Sequence, residues 1–430
     1  MAPNRNFMLK KRKFWIHCVL GTAFIFGFMY TAQKLFAIFD FLDPIGDALE
    51  GYEITDQVFS NEKWREPPPA DTNIVIVNIG IQSRRVIAEQ INMINRFKPK
   101  VIGLDTYFGV LKPDTLGDLM LADALANSPN IIMYAKLLQP DSNNIWHDVL
   151  YCNPLFEQDH ETASVNLLIE AANAEQYSFK TCRSFFPKEK LFNEETGKID
   201  TVLGFGVALT KKYAPEKAER FLARNMDEEL INYSGNVLDF GKTPYGTRFF
   251  ALDWDQILDS MQFFPDLIKD KIVLLGYLGD NFNDTRSVED KYFTPLNKKY
   301  TGRAYPDMYG VVVHANIISM ILSENYLNQM TEVQSMVLAV LVCFLNVVVF
   351  SLIYYYLDRW YDGITKLLQL LQALIFTFII ILVFHYFNFK LNLTYTIVAV
   401  LFAGDSLEVY YGVIVNTWEK FEHKLLPKKI

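Results

Sequence analysis

The chain has 430 residues, of which 51% are apolar, 15% aromatic and 21% charged. This is more apolar and less charged than an ordinary soluble domain, and the excess gathers at the two ends of the chain. A formal net charge of −8 offers no surplus of cations to neutralise phosphates, which argues against nucleic acid as a partner.

Residues 1–13 form a basic leader, with Arg5, Lys10, Lys11, Arg12 and Lys13 and no acid. The apolar run Phe14–Tyr30 follows and extends toward Phe39, predicting a first membrane helix over residues 14–38. A secretory signal peptide shares this pattern. Here the run is long and no small-x-small cleavage site follows it at the right distance, so an uncleaved signal anchor is expected.

Residues 39–330 read as one α/β domain, with no internal repeat or low-complexity linker. Ile74–Gly80, Val101–Asp105, Ile131–Leu138, Glu229–Tyr233 and Lys271–Gly276 are short branched or apolar runs, as buried strands are. Ser83–Phe97, Leu116–Asn127 and Leu203–Tyr213 carry helical spacing, and Gly310–Leu322 starts extended and becomes helical. Strands alternating with helices predict an α/β fold with a mostly parallel sheet.

Three further apolar runs, 335–357, 367–387 and 393–418, are long enough to cross a hydrocarbon layer of roughly 30 Å. The fourth span in the chain is interrupted by Asp405, Ser406 and Glu408. Asp405 and Glu408 are three residues apart and share a helical face. A carboxylate at the centre of a bilayer costs about 2.5–3.5 kcal/mol and ordinarily faces protein or water. Either the pair meets a basic helix of another subunit, or the span ends near Gly404 and continues at the interface, which would suit Tyr410, Tyr411 and Trp418. The placement of Lys and Arg orients the chain. The N-terminus and the tail 419–430, with Lys420, Lys424, Lys428 and Lys429, fall in the cytoplasm and residues 39–330 outside it. Cys152 and Cys182 then lie where a disulfide persists; a bridge between them and two buried thiols both remain open.

Three blocks carry a family resemblance: IVIVNIG with a following helix and KPKVIGLDTYF (Lys98–Phe108); the D-x-x-L-A-x-A-L pattern of Asp118–Leu125 with NIIMYA; and KDKIVLLG (Lys269–Gly276), DKYFTPL (Asp290–Leu296) and GVVVHANIISMIL (Gly310–Leu322). In this order, with one membrane helix before and three after, the chain resembles the type-two CHASE domain, the extracellular sensory module of bacterial adenylate cyclases, histidine kinases and related receptors. The resemblance covers roughly Asp56–Leu327 and implies a bacterial inner-membrane host. Asn297–Tyr309 reads as an insertion relative to it. Such receptors continue into a cytoplasmic output domain, whereas Glu419–Ile430 is all that follows the last span here, so an output in a separate protein is expected.

Asp105 ends a strand, where open parallel sheets place ligand contacts, and a carboxylate there needs a partner. Asp118, opening the next helix, is either a ligand contact or an N-terminal cap or dipole partner. Asp290, Thr294, His314 and Asn316 belong to the shared blocks, which implies convergence on a small ligand or a network that fixes loops. The acidic stretch Asp280, Asp284, Glu289, Asp290 lacks the EF-hand spacing and glycine, so no metal is expected. With no G-x-S-x-G, H-E-x-x-H or P-loop, neither catalysis nor a cofactor is expected. The leading expectation is a receptor-like membrane subunit that senses a small molecule or an envelope protein and relays its state to a separate membrane or envelope partner. The alternative is a scaffold of an envelope complex, docking through Tyr300, Arg303 and Tyr305; a homo-oligomer fits either.

Overall fold

A computed structural model of the chain describes residues 12–36, 55–61, 64, 68–168, 181–194, 196–237, 247–259, 261, 263–284, 287–297 and 305–417. It divides into two compact units: Glu50–Leu327, and a second made of Met1–Leu49 with Asn328–Ile430.

The first unit is built on a nine-stranded sheet. Its strands are β1 (Asp71–Asn78), β2 (Val101–Leu104), β3 (Ile131–Pro140), β4 (Ile145–Tyr151), β5 (Glu161–Ser164), β6 (Lys188–Asn193), β7 (Lys198–Leu203), β8 (Phe249–Leu252) and β9 (Ile272–Gly276). The order is β8-β1-β9-β2-β3-β4-β6-β7, with β5 also paired to β3. Pairings β8–β1, β1–β9, β9–β2, β2–β3, β3–β5 and β4–β6 are parallel. Pairings β3–β4 and β6–β7 are antiparallel. The sheet is therefore mixed, with a parallel centre and an antiparallel extension that the apolar runs did not announce. β2 and β9 are buried along their whole length, as strands covered on both faces are. β6 and β7, reading KEKLFN and KIDTVL, carry charged residues; β6 is half-buried with Glu189 inside, and β7 is exposed over its first four residues.

The longer helices of this unit are α1 (Arg84–Arg96), α2 (Thr115–Ala126), α3 (Phe205–Tyr213), α4 (Pro215–Leu222) and α5 (Gly310–Ser323). Ser83 caps α1, and Asp114 caps α2 by accepting the Gly117 N–H at 3.2 Å. The strand expected over Glu229–Tyr233 is reduced to Glu229–Leu230, paired with Ser184–Phe185. α5 is helical from Gly310, and its extended lead-in, Met308–Tyr309, pairs with Lys291–Tyr292. That hairpin brackets the apparent insertion, whose Tyr300 and Arg303 lie outside the described residues. α5 packs on β1, β9 and α3 and is buried from Gly310 to Leu322.

Cys152 and Cys182 are both buried thiols, so the disulfide left open by the sequence does not form. Cys152 Sγ sits in the core, accepting the Phe108 N–H at 3.4 Å, and Cys182 Sγ lies 3.8 Å from the Ser184 carbonyl. Thermal unfolding of the purified protein is accordingly expected to be the same with and without dithiothreitol; a fall in the transition temperature on reduction would contradict this arrangement.

The second unit holds four helices long and apolar enough to cross a membrane: Arg12–Thr31, Glu332–Tyr356, Asp358–Phe387 and Thr394–Val415. The fourth packs against each of the other three. A capping box of Thr331 and Gln334 starts the second. The helix of the fourth continues past Gly404 to Thr417, with a wider turn over Tyr410–Val415. Tyr410 and Tyr411 stay packed there, bonded to His17 and Ser351 at 3.0 Å each. Asp405 lies midway along this helix and faces out of the bundle, its side chain 67% exposed, with Lys366 3.8 Å away. Glu408 is exposed too. Trp418, the basic tail and Arg5, Lys10 and Lys11 lie outside the described residues.

Candidate functional site

Asp105, Asp290 and His314, from three distant segments, line one cavity of about 170 Å³. β2 delivers Asp105 past its carboxyl end, where the Asp105 N–H donates to the Leu275 carbonyl at 2.8 Å. Tyr134 and Lys136 come from β3; two residues apart, they share a face of the strand. Val165, Asn166 and Leu167 follow directly on β5. The cavity thus opens at the carboxyl ends of parallel strands, where open α/β sheets bind ligands.

The remaining wall comes from the hairpin and α5. Asp290 adopts a left-handed φ of 52°, and its carbonyl accepts the Gly310 N–H at 3.0 Å. A Cβ at position 310 would stand 3.2 Å from the Asp290 carboxylate. Glycine there lets the carboxylate lie over the first turn of α5, where the helix dipole favours negative charge. One turn on, His314 is 3% exposed, with its ring edge-on to Phe205 at 5.2 Å.

Two features of this cavity are electrostatically unusual. Burial first, and the charge of Asp290 second, push the Asp105 carboxyl up to about 8. Burial pushes the His314 imidazole down to about 4, against the opposing effect of a bond to the Val165 backbone. The Val165 N–H is taken by the Ala135 carbonyl at 2.9 Å, so the Val165 carbonyl receives the histidine proton. Nδ1 of His314 is left as a buried lone pair with no partner. Tyr134 and Tyr292 are raised, by burial and then by Asp105 and Asp290 respectively. Asn166 is committed to the wall: its amide accepts the Leu137 N–H at 3.0 Å and donates to the Leu137 carbonyl at 2.9 Å.

The other nominated residues lie elsewhere. Asp118 is not the cap of α2; it is buried in the first turn, paired with Arg84 and accepting the Lys112 N–H at 2.8 Å. Thr294 donates its N–H and hydroxyl to Asp307 at 2.9 and 2.5 Å, pinning the hairpin loop. Asn316 accepts from the Ser234 and Gly235 N–H groups and donates to the Gly235 and Val312 carbonyls, all within 3.3 Å. Among the described residues no three His, Cys, Asp or Glu side chains are placed to hold a metal. Sequence reasoning missed Tyr134, Lys136 and Tyr292. The signal for the first two was their same-face spacing at the end of NIIMYAK.

Fold and cavity together define a class: an α/β domain with a small polar pocket at the carboxyl ends of its strands, in a chain bearing four candidate membrane spans. The chain belongs to the CHASE2 domain family, whose model matches residues 35–353, and CHASE2 is a family of sensory extracellular domains. No curated protein and no solved structure matches the chain.

Proposed function

We propose that this chain is a receptor-like subunit of a bacterial inner membrane, with residues 39–330 in the periplasm and both termini in the cytoplasm. Its α/β domain binds a small molecule in the pocket of Asp105, Asp290 and His314 and has no catalytic chemistry of its own. The observation that carries the reading is the meeting of Asp105, Asp290 and His314, from three distant segments, in one cavity at the carboxyl ends of the parallel strands. α5 carries the pocket residues Gly310 and His314 and ends at Ser323, and the chain passes on to the second candidate span at Glu332. A ligand that binds two settings of α5 unequally shifts their populations, and the candidate spans pass that shift to a separate membrane protein. Asp405 and Glu408, turned out of the bundle, supply the contact, complemented by a basic helix of that partner.

The scaffold reading has one observation in its favour. The segment after β2 exposes Val110 and Leu111, and α2 exposes Leu116 and Leu119, an apolar surface of the kind that docks partners. The domain thus carries both a pocket and an apolar surface, and the convergence of three distant segments on the pocket favours the sensor.

Purified in mild detergent from its own membranes, the protein is expected to bring down a stoichiometric membrane partner and, on denaturation, release a low-mass compound visible by mass spectrometry. Asp405→Asn/Glu408→Gln should lose the partner and keep the compound; Asp105→Asn should do the reverse. A protein that yields neither would end the receptor reading, and a partner without a compound would favour the scaffold.

A further inference from the structure

We infer that the edge of the α/β domain at the amino ends of β2 and β9 is a membrane-contact surface, seated on a bilayer that carries anionic headgroups. The pocket lies at the opposite, carboxyl ends of the strands, so the inference is independent of it and rests on the candidate spans crossing a membrane. Two turns build the edge. RFKPK (Arg96–Lys100) joins α1 to β2, and FPDLIKDK (Phe264–Lys271) leads into β9. β2 and β9 are paired neighbours, and their turns are tied together. The Asp270 N–H donates to the Lys98 carbonyl at 3.1 Å, and the Lys100 N–H to the Lys271 carbonyl at 2.9 Å. Lys98 and Asp270 take left-handed φ values of 53° and 58°, which keeps both turns tight.

The side chains on this edge are of two kinds. Arg96, Lys98, Lys100, Lys269 and Lys271 outnumber the two acids of the turns, Asp266 and Asp270, in a chain whose net charge is −8. All five but the half-buried Lys271 are exposed, and among the described residues none of the five joins an ion pair. Beside them, Phe263 turns inward onto Phe97, with ring centres 5.2 Å apart, while Phe264 turns out. Phe264 is 84% exposed and Met261 90%, more than any other large apolar side chain among the described residues. Protruding apolar side chains beside a surplus of cations are how protein surfaces hold an anionic bilayer. The course of the chain identifies the occupant. α5 starts at the pocket, and Ser319 donates to Asp71, the first residue of β1, at 2.6 Å. α5 therefore ends, at Ser323, toward the amino ends of the strands. The second candidate span begins at Glu332, and the residues between them reach at most roughly 29 Å even when extended. The end of the domain that bears the cations is thus the end tethered to the bilayer.

The test uses the full-length protein. Its four described cysteines are buried, so Phe264→Cys takes an apolar nitroxide label selectively. The labelled protein is reconstituted in vesicles of phosphatidylcholine with or without phosphatidylglycerol, and relaxation by oxygen is compared with relaxation by a water-soluble nickel chelate. With phosphatidylglycerol, the ratio of oxygen to nickel accessibility at residue 264 should rise several-fold over that of the same label at Val110→Cys, on the loop after the carboxyl end of β2. It should fall back in phosphatidylcholine alone, in Lys98→Gln/Lys269→Gln, and in 1 M salt, where screening acts within about 3 Å. The salt arm needs no second substitution and stands if the double variant does not fold. A label at Leu374→Cys, on the exposed side of the third candidate span, should be in lipid throughout; if it is in water, the membrane premise itself fails. A label at residue 264 that stays in water with Leu374 in lipid would overturn the surface alone. Burial that is equal in both lipids and indifferent to salt would overturn the part assigned to the cations. Shielding that follows the protein-to-lipid ratio would put a second copy of the chain on this edge and overturn the inference.

Discussion

Arg84→Ala is expected to destabilise the α/β domain by about 3–5 kcal/mol, the cost of removing one partner from a buried ion pair. Arg84 lies at the start of α1 and its side chain is 6% exposed. Its guanidinium donates to Asp118 and to the Val110 carbonyl, and sits 4.7 Å from the centre of the Phe156 ring. Truncation strips the Asp118 carboxylate of its counter-charge inside the protein, frees the Val110 carbonyl and opens a void beside Phe156. The Lys112 N–H is then the neighbour left to Asp118, too little to hold a buried charge. The larger part of the loss comes from the stranded carboxylate, so the double variant Arg84→Met/Asp118→Leu should recover most of it. Thermal unfolding of both variants in detergent checks the pair. A double variant as unstable as Arg84→Ala would mean that the shape of the site, and not its charge, governs stability there.

That ion pair also shows what the sequence could and could not reveal. The central strands β1, β2 and β9 were legible because burial on both faces demands a near-continuous branched apolar run, and α1 and α2 because their buried faces recur at helical spacing. β6 and β7 were not, since strands that carry charged residues and are covered on one face at most have no continuous apolar signature. Asp118 was visible as an acid at a helix start, yet its partner is 34 residues away, and no local pattern encodes such a pairing. Likewise Asp105, Asp290 and His314 could each be singled out, but their meeting in one cavity depends on the order of the sheet and on the Gly310 contact with Asp290. For Cys152 and Cys182 the sequence offered two thiols in one domain; their separate burial beside Phe108 and Ser184 is a product of the tertiary fold.

The pH dependence of stability is expected to separate Asp105→Asn from the wild type. The folded carboxyl of Asp105 titrates at about 8, against roughly 3.9 in an unfolded chain. Between those values the native protein holds a proton that the unfolded chain has lost. Its contribution is complete below pH 4 and is lost as the pH rises through about 8, because stability falls with pH wherever the native state binds more protons. Each pH unit is worth about 1.4 kcal/mol at most. Other buried groups titrate in lower windows: Glu189 is raised to about 7 and Asp307 to about 6, with the same sign, and His314 is lowered to about 4, with the opposite sign. The groups that face Asp105 are Asp290, Tyr134, Tyr292, Lys136 and His314. The tyrosines are pushed further from neutrality, and His314 has already shed its proton well below pH 7. The interval from pH 7 to about 8 therefore reports chiefly on Asp105. There the wild-type transition temperature should fall with rising pH while that of Asp105→Asn stays nearly level, so that the variant becomes the more stable protein on the alkaline side. Equal slopes in the two proteins would mean that Asp105 is already ionised in the native pocket at neutral pH.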